Sequence, residues 1–384
     1  MSRRPAANGG PGPTGRPRRL LIGTTLAEQL STSFFAHFPA LREAGWEIHV
    51  VCAPGEFPSG PPPDWVRVHR IDMVKPIEPR ADAVALARWV RLLRRLRPDV
   101  VVGASPKGGL LAMVAARLVG VRRRIFLHRG ARWETLTGTS RRLTLAADRL
   151  TVRSSTDVVA VSGSLAKLLQ SAGVTRRPAT VLCGGGSKGV DLTRFEPGDG
   201  SGEDRSPFPV LGFVGRLAGD KGLDVVLAAL DVAAAKFPEA ALVVVGDVDS
   251  ADPPPQAVLD RLNADPRITW RGWVTDVVPA LQDLDVLVFP SLREGLPNAV
   301  IEAAACGVPT VGWDVTGVRD AVDGGVTGRL VPVGDVEAFA AAVVEVLASG
   351  RGAYRSACRE WAHRFDQVAL SRAWVDLVAD GAFL

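Results

Sequence analysis

Short apolar runs alternate with longer stretches whose apolar positions recur every three or four residues, from Arg19 almost to the end of the chain. The runs predict strands at 19–24, 47–52, 66–71, 99–103, 123–128, 157–161 and 179–183. The helical-period stretches between them predict helices at 34–44, 82–97, 108–119, 139–154 and 163–171. A second series follows the polar stretch Pro197–Pro207. Its strands are expected at 209–214, 241–246, 268–272, 286–290, 309–313 and 328–332. Its helices are expected at 222–236, 254–263, 276–282, 298–305, 317–322 and 335–348. Strands alternating with helices of this length build βαβ units and parallel sheets. The chain is therefore expected to be α/β, with two doubly wound Rossmann-like domains facing a central cleft, since such sheets bind ligands beyond the carboxyl ends of their strands.

The same pattern sets boundaries. Residues 1–18 lack apolar periodicity and are expected to be a disordered basic tail. A first Rossmann-like domain is expected over 19–195, a linker over 196–207, and a second Rossmann-like domain over 208–366. The last segment, 367–384, predicts an amphipathic helix with Val368, Leu370, Trp374 and Leu377 on its apolar side, crossing back to the first domain.

Composition narrows the class. At 384 residues, 47% apolar and 23% charged, the chain is no collagen, coiled coil or wholly disordered segment. No run of 18 apolar residues occurs, so no bilayer-spanning helix is expected. The stretch Leu20–Ala27 ends at Glu28 before any cleavage signal, which argues against secretion. Cys52, Cys183, Cys306 and Cys358 are scattered singly, as in reduced cytoplasmic proteins, and have no metal-binding spacing.

Charge divides the chain. Residues 1–19 hold five arginines and no acid; Leu20–Arg194 holds 26 basic and 13 acidic residues, a net of +13. From Phe195 onward there are 15 basic and 28 acidic residues, a net of −13. A basic half suits nucleic acid, anionic lipid or a phosphorylated ligand. No helix-turn-helix, zinc or aromatic-basic module supports nucleic acid. On helix 82–97, Leu86, Val90, Leu93 and Leu96 share one side, while Arg88, Arg91 and Arg95 share another. Beside anionic lipid each arginine contributes about 1 kcal/mol, so peripheral contact with an anionic membrane is expected.

Candidate chemistry sits in loops after apolar runs. Ser291-Leu292-Arg293-Glu294-Gly295-Leu296-Pro297-Asn298 leaves the run Val286–Phe289 and opens a helix that places Glu302 one turn inside. A helix start offers free N–H groups and a positive dipole end to an anion. Gly215-Arg216-Leu217-Ala218-Gly219-Asp220-Lys221-Gly222 follows Val210–Val214 and supplies a guanidinium fork beside a point charge, suited to a diphosphate. In the basic half, Ser105-Pro106-Lys107-Gly108-Gly109 joins a strand to a helix, a place for a second anion such as a phosphate. His128 ends the run Ile125–Leu127, with Arg132 and Glu134 in the loop beyond. Gly184-Gly185-Gly186-Ser187-Lys188-Gly189 imitates a dinucleotide fingerprint, but no helix follows. Asp247-Val248-Asp249 and Asp283-Leu284-Asp285 imitate metal-binding pairs, yet their positions suit a doubly wound layout better.

Taken together, Gly215-Arg216, Lys221-Gly222, Glu294 through Glu302 with Ala303, and Gly307-Val308-Pro309 resemble the donor half of family-4 retaining glycosyltransferases of GT-B fold. Val244-Val245-Gly246-Asp247, Gly272, Phe289-Pro290-Ser291 and Gly325-x-x-Gly328 match its linking landmarks. Ser105–Leu110, His128-Arg129-Gly130-x-Arg132-x-Glu134-Thr135 and Gly189-Val190-Asp191 resemble its capsule and exopolysaccharide branch. The first loop, Thr24–Ser33, departs from the family by lacking paired glycines.

The resemblance implies a metal-independent hexosyltransferase without cofactor. Arg216 and Lys221 would hold the donor diphosphate, Glu302 the ribose hydroxyls, and Glu294 the sugar. The backbone of Gly295, Leu296, Pro297 and Asn298 would lie nearby. His128 would stand near the reacting centre, with Arg132 and Glu134 orienting donor or acceptor. The expected donor is UDP-linked, and the expected acceptor a polyprenyl-diphosphate-linked saccharide at the inner membrane face. A soluble acceptor, a GT-B nucleotide-sugar epimerase and a non-catalytic binding subunit are the alternatives.

Overall fold

The computed structural model describes residues 16–74, 76–198 and 208–379. In the first half the apolar runs become six parallel strands: β1 (Arg18–Gly23), β2 (Trp46–Cys52), β3 (Arg67–Arg70), β4 (Val100–Ala104), β5 (Arg123–His128) and β6 (Asp157–Ala160). Their order in the sheet is β3-β2-β1-β4-β5-β6. The second half repeats the plan with β7 (Val210–Val214), β8 (Ala241–Val245), β9 (Ile268–Trp270), β10 (Val286–Phe289), β11 (Thr310–Trp313) and β12 (Gly328–Val331). These lie in the order β12-β11-β10-β7-β8-β9, again all parallel. The inner strands are largely buried, as parallel sheets covered by helices require, whereas the edge strands β3 and β9 stay partly exposed. Each sheet reverses its winding once, between β1 and β4 in the first and between β7 and β10 in the second. Those switch points are where doubly wound sheets open a crevice.

The described residues of Met1–Lys188 and Gln367–Leu384 form one compact unit, and Gly189–Asp366 forms the other. The segment 189–195, expected in the first domain, packs in the second unit. There Val190 N donates to Phe365 O at 2.8 Å, and Arg359 donates to the Leu192 carbonyl at 2.7 Å and to that of Phe195. Most of the expected tail (1–15) and of the expected linker (199–207) lies outside the described residues.

Helix Gln367–Ala379 belongs to the first unit. Leu370, Trp374 and Leu377 are buried, with the Trp374 ring 5.8 Å from that of Phe34, whereas Val368 faces solvent. His37 lies beneath it; Nε2 donates to the Ser187 carbonyl and Nδ1 accepts from the Ser371 hydroxyl, both at 2.8 Å. Burial pushes that imidazole down to about 4.

Two expectations fail for local reasons. Strand 179–183 shrinks to one bridge, Thr180 to Val159, because Cys183 takes a left-handed φ of 51° that ends extended backbone. Helix 34–44 divides into a tight turn, Phe35–His37, and a helix, Phe38–Glu43. Pro39 has no N–H to bond back across that junction. Helices Ala27–Ser31 and Gly352–Ala362 add to those expected. No helix among the described residues is long and apolar enough to cross a membrane.

Candidate active site

The loops leaving β7 and β10 meet at the switch point of the second sheet. Lys221 extends its ammonium to Glu294 Oε1 at 2.6 Å and to Ser291 Oγ at 3.2 Å. Ser291 donates to the same Glu294 oxygen at 2.8 Å. Leu292 N donates to the Asp220 carbonyl at 3.0 Å, and Arg293 reaches the Asp220 carboxylate at 3.4 Å. The loops touch closely because Gly222 stands at φ +67°, where a Cβ would lie 2.5 Å from the Pro290 carbonyl. Any side chain there would force them apart.

Arg216 stands out from this cluster, mostly exposed, and pairs with Asp249 in the loop after β8. That loop is tied in turn: Gly215 N donates to Val245 O at 3.0 Å, and Gly246 N to Gly272 O at 2.8 Å. Trp273 N donates to Asp247 Oδ1 at 2.9 Å. The pair Asp247 and Asp249 therefore binds a backbone amide and a guanidinium. In the other acidic pair, Asp285 accepts from Val210 N at 2.9 Å and Asp283 pairs with Arg271 at 3.5 Å.

Helix Asn298–Ala305 begins directly beyond, entered through extended Pro297 and without a side-chain cap. Its leading amides have no intrahelical acceptor. Glu302 lies one turn in, buried. Gly317, at φ +80°, brings the loop after β11 against Gly295, whose carbonyl a Cβ would approach to 2.5 Å. The second unit thus gathers Arg216, Lys221, Glu294, Glu302 and the helix start on one sheet end. Lys221 has three N–H donors and Arg216 five, more than their carboxylate partners use, so both can also bind phosphate oxygens. Glu294 and Glu302 are acceptors suited to hydroxyls.

The switch point of the first unit is built differently. Ser105 Oγ accepts from Thr25 N at 3.0 Å and lies 2.9 Å from Thr25 Oγ1, which accepts from Gly108 N at 2.9 Å. A Cβ on Gly108 would lie 2.5 Å from the Thr25 amide nitrogen. The two loops close on each other, and the helix-start amide of Gly108 is already bonded. Lys107, expected to face an anion, gives its ammonium to Asp82 Oδ1 at 2.6 Å and to the Pro76 carbonyl. Ser105 and Lys107 are thus both bonded to other segments of this unit.

His128 ends β5 buried. Its Nε2 lies 3.1 Å from Asp148 Oδ2, which also accepts from Trp133 Nε1 at 2.7 Å. Where Nε2–H donates to the Asp148 carboxylate, a neutral ring carries its lone pair on Nδ1. Nδ1 has no hydrogen-bond partner among the described residues. Arg132 is exposed and Glu134 half-buried in the turn Arg132–Glu134. Asp148 and Trp133 escape sequence reasoning; the one available signal is an acid on the inward side of helix Gly138–Ser154. Arg129 also escapes: burial weakens its hold on the proton, and Glu28 opposes that.

Comparison with known proteins places this geometry. The family model "Glycosyltransferase Family 4" matches residues 31–192, and "Glycosyl transferases group 1" matches 208–349. The chain is 28% identical over 313 residues to the capsular polysaccharide biosynthesis glycosyltransferase CapM of Staphylococcus aureus, covering 80% of this chain and 82% of that one. It is 32% identical over 366 residues to a GDP-mannose-dependent alpha-mannosyltransferase of Mycolicibacterium smegmatis, covering 87% of each. To the UDP-Gal:alpha-D-GlcNAc-diphosphoundecaprenol alpha-1,3-galactosyltransferase of Escherichia coli it is 26% identical over 331 residues, covering 80% and 82%. Among solved structures, HepE of Anabaena in complex with UDP superposes with a TM-score of 0.75 at 17% identity, over 95% of this chain and 100% of that one.

Proposed function

The chain belongs to the family-4 glycosyltransferases of GT-B fold, and on that footing we propose that it is a retaining enzyme moving a sugar from a UDP-sugar to a polyprenyl-diphosphate-linked saccharide. The setting is assembly of surface polysaccharide at the inner face of the cell membrane. The observation behind this reading is the cluster of Lys221, Ser291 and Glu294 at the switch point between β7 and β10, with Arg216 and Glu302 on the same sheet end.

The residues divide the work by charge. Arg216 and Lys221 bind the donor diphosphate, Glu302 accepts from the ribose hydroxyls, and Glu294 from a sugar hydroxyl. The amides of Leu296 and Asn298 point toward the diphosphate. Transfer breaks the bond between the anomeric carbon and the diphosphate oxygen, which keeps the electron pair. The acceptor hydroxyl forms the new bond on the same face and passes its proton to the departing diphosphate. Negative charge grows on that leaving group, and preorganised cations and amides stabilise it without a metal. One such donor is typically worth about 3–4 kcal/mol in the transition state. His128 binds the sugar through Nδ1, held in that tautomer by Asp148, while Arg132 and Glu134 face the acceptor.

The relatives' printed activities support a saccharide acceptor on a lipid diphosphate and a capsular product. They differ in donor base, UDP in one and GDP in another. The test is protection of the purified protein against thermal unfolding by UDP and GDP, followed by transfer to an undecaprenyl-diphosphate-linked acceptor with chelator present. A nucleotide at 100 times its Kd adds about 2.7 kcal/mol of stability. No protection by either nucleotide removes the donor site. Stronger protection by GDP changes the base, an inverted product removes the retaining mechanism, and loss of transfer with chelator removes metal independence.

A further inference from the structure

The approach to helix Pro79–Leu96 carries exposed aliphatic side chains, and the outward side of the helix carries arginines. Ile77 is 71% exposed, Val84 52% and Val74 42%. On the helix, Arg80, Val84, Arg88, Arg91 and Arg95 follow at spacings of three and four, so they share a face. The opposite face buries Ala85, Trp89, Leu92, Leu93 and Leu96. The stripe is apolar at its amino end and basic beyond. Arg80, Arg91 and Arg94 have no ion pair among the described residues; Arg88 pairs with Asp72, and Asp82 is held by Lys107. Glu78 is the remaining exposed acid nearby.

Lys107 ties the apolar end to its own helix. Its ammonium bonds the Pro76 carbonyl and Asp82 together, fixing the residues on either side of Ile77 to the start of helix Pro106–Val119. An exposed aliphatic tip tethered at the start of a basic helix matches the chemistry of an anionic bilayer surface. The aliphatic groups enter the headgroup boundary, and the guanidinium groups meet lipid phosphates.

We propose that Val74, Ile77, Val84 and the arginines from Arg80 to Arg95 are the surface by which this protein lies on anionic membrane. The proposal rests on the lipid-linked acceptor reading for its setting, but its chemistry is independent of the transfer reaction. Helix Gly138–Ser154, with Leu143 61% and Leu150 49% exposed beside Arg142 and Arg153, is the rival face in the same unit. It lacks an aliphatic tip fixed by an ion pair, and it serves as the control.

The full chain is sedimented with vesicles of phosphatidylcholine, alone or with phosphatidylglycerol. Wild type should bind only the acidic vesicles, and less as salt rises. Arg91→Glu/Arg94→Glu/Arg95→Glu should lower partitioning by about a hundredfold, taking roughly fivefold per arginine. Ile77→Ser/Val84→Ser should also lower it, with UDP or GDP protection unchanged in both variants. Wild-type partitioning by these variants, indifference of wild type to acidic lipid, loss in Leu143→Ser/Leu150→Ser instead, or abolition by Arg3→Ser/Arg4→Ser alone overturns the proposal. Transfer to the lipid-linked acceptor in detergent separates the two readings. If vesicle binding follows the stripe but no transfer occurs, the acceptor reading fails and the surface stands.

Discussion

Replacing Lys221 by methionine removes the ammonium while keeping most of the side chain's volume. Lys221 is 12% and Glu294 18% exposed, at 2.6 Å. Exposed pairs contribute up to about 1 kcal/mol, and breaking a fully buried one costs about 3–5 kcal/mol. A loss near 2 kcal/mol is therefore expected, since Glu294 keeps its bond from Ser291. If Lys221 also grips the donor diphosphate, nucleoside diphosphate affinity should fall by about 1.5–3 kcal/mol, a tenfold to 150-fold rise in Kd. Turnover should fall further, because the leaving-group charge is larger in the transition state than in the bound donor. Calorimetric titration and denaturant unfolding measure the two losses separately. The double variant Lys221→Met/Glu294→Gln relieves the unpaired carboxylate. It should recover much of the stability and none of the phosphate affinity. A Kd within threefold of wild type in folded Lys221→Met would reduce the lysine to a partner for Glu294, and the diphosphate assignment would go with it.

Two further outcomes are expected. Glu302→Gln should raise the Kd for nucleoside diphosphate by about 1–3 kcal/mol with little loss of thermal stability; loss of folding without loss of affinity in the folded fraction refutes the ribose role. His37 has a folded pKa lowered by burial to about 4, below its ordinary 6.5. Its contribution to stability is thus complete above pH 6.5 and is lost as pH falls toward 4, amounting to about 2 kcal/mol between pH 7 and 5. Urea unfolding across that range should show a steeper acid loss in wild type than in His37→Gln, and equal slopes contradict it.

What could be read from the chain, and what could not, follows the range of the interactions. Arg216, Lys221 and Glu294 were legible because each lies a few residues beyond an apolar run, so strand and loop signals point to the same sheet end. The doubly wound plan was legible from strand and helix alternation. By contrast, Thr25 and Ser105 are 80 residues apart and are ordinary hydroxyls, so nothing local reveals that they seal the first switch point. The partner of Lys107 is hidden for the same reason: its acid, Asp82, lies on another helix. Asp148 became a partner of His128 only when helix Gly138–Ser154 packed against β5. The break at Cys183 depends on one backbone angle that its side chain does not announce.

Helix Gln367–Ala379 gives biosynthesis an order. The slot beside Phe34 that receives Trp374 is made before the second unit, but its occupant is made after it. The ribosome must add all of Gly189–Asp366 in between. At roughly 5–20 residues per second this takes on the order of 10–40 s. During that interval the nascent first unit exposes the apolar wall that Leu370, Trp374 and Leu377 later cover. The second unit, whose chain is continuous, can fold before the first is finished. The unit begun before the other is thus sealed after it, and chaperone demand falls on that interval.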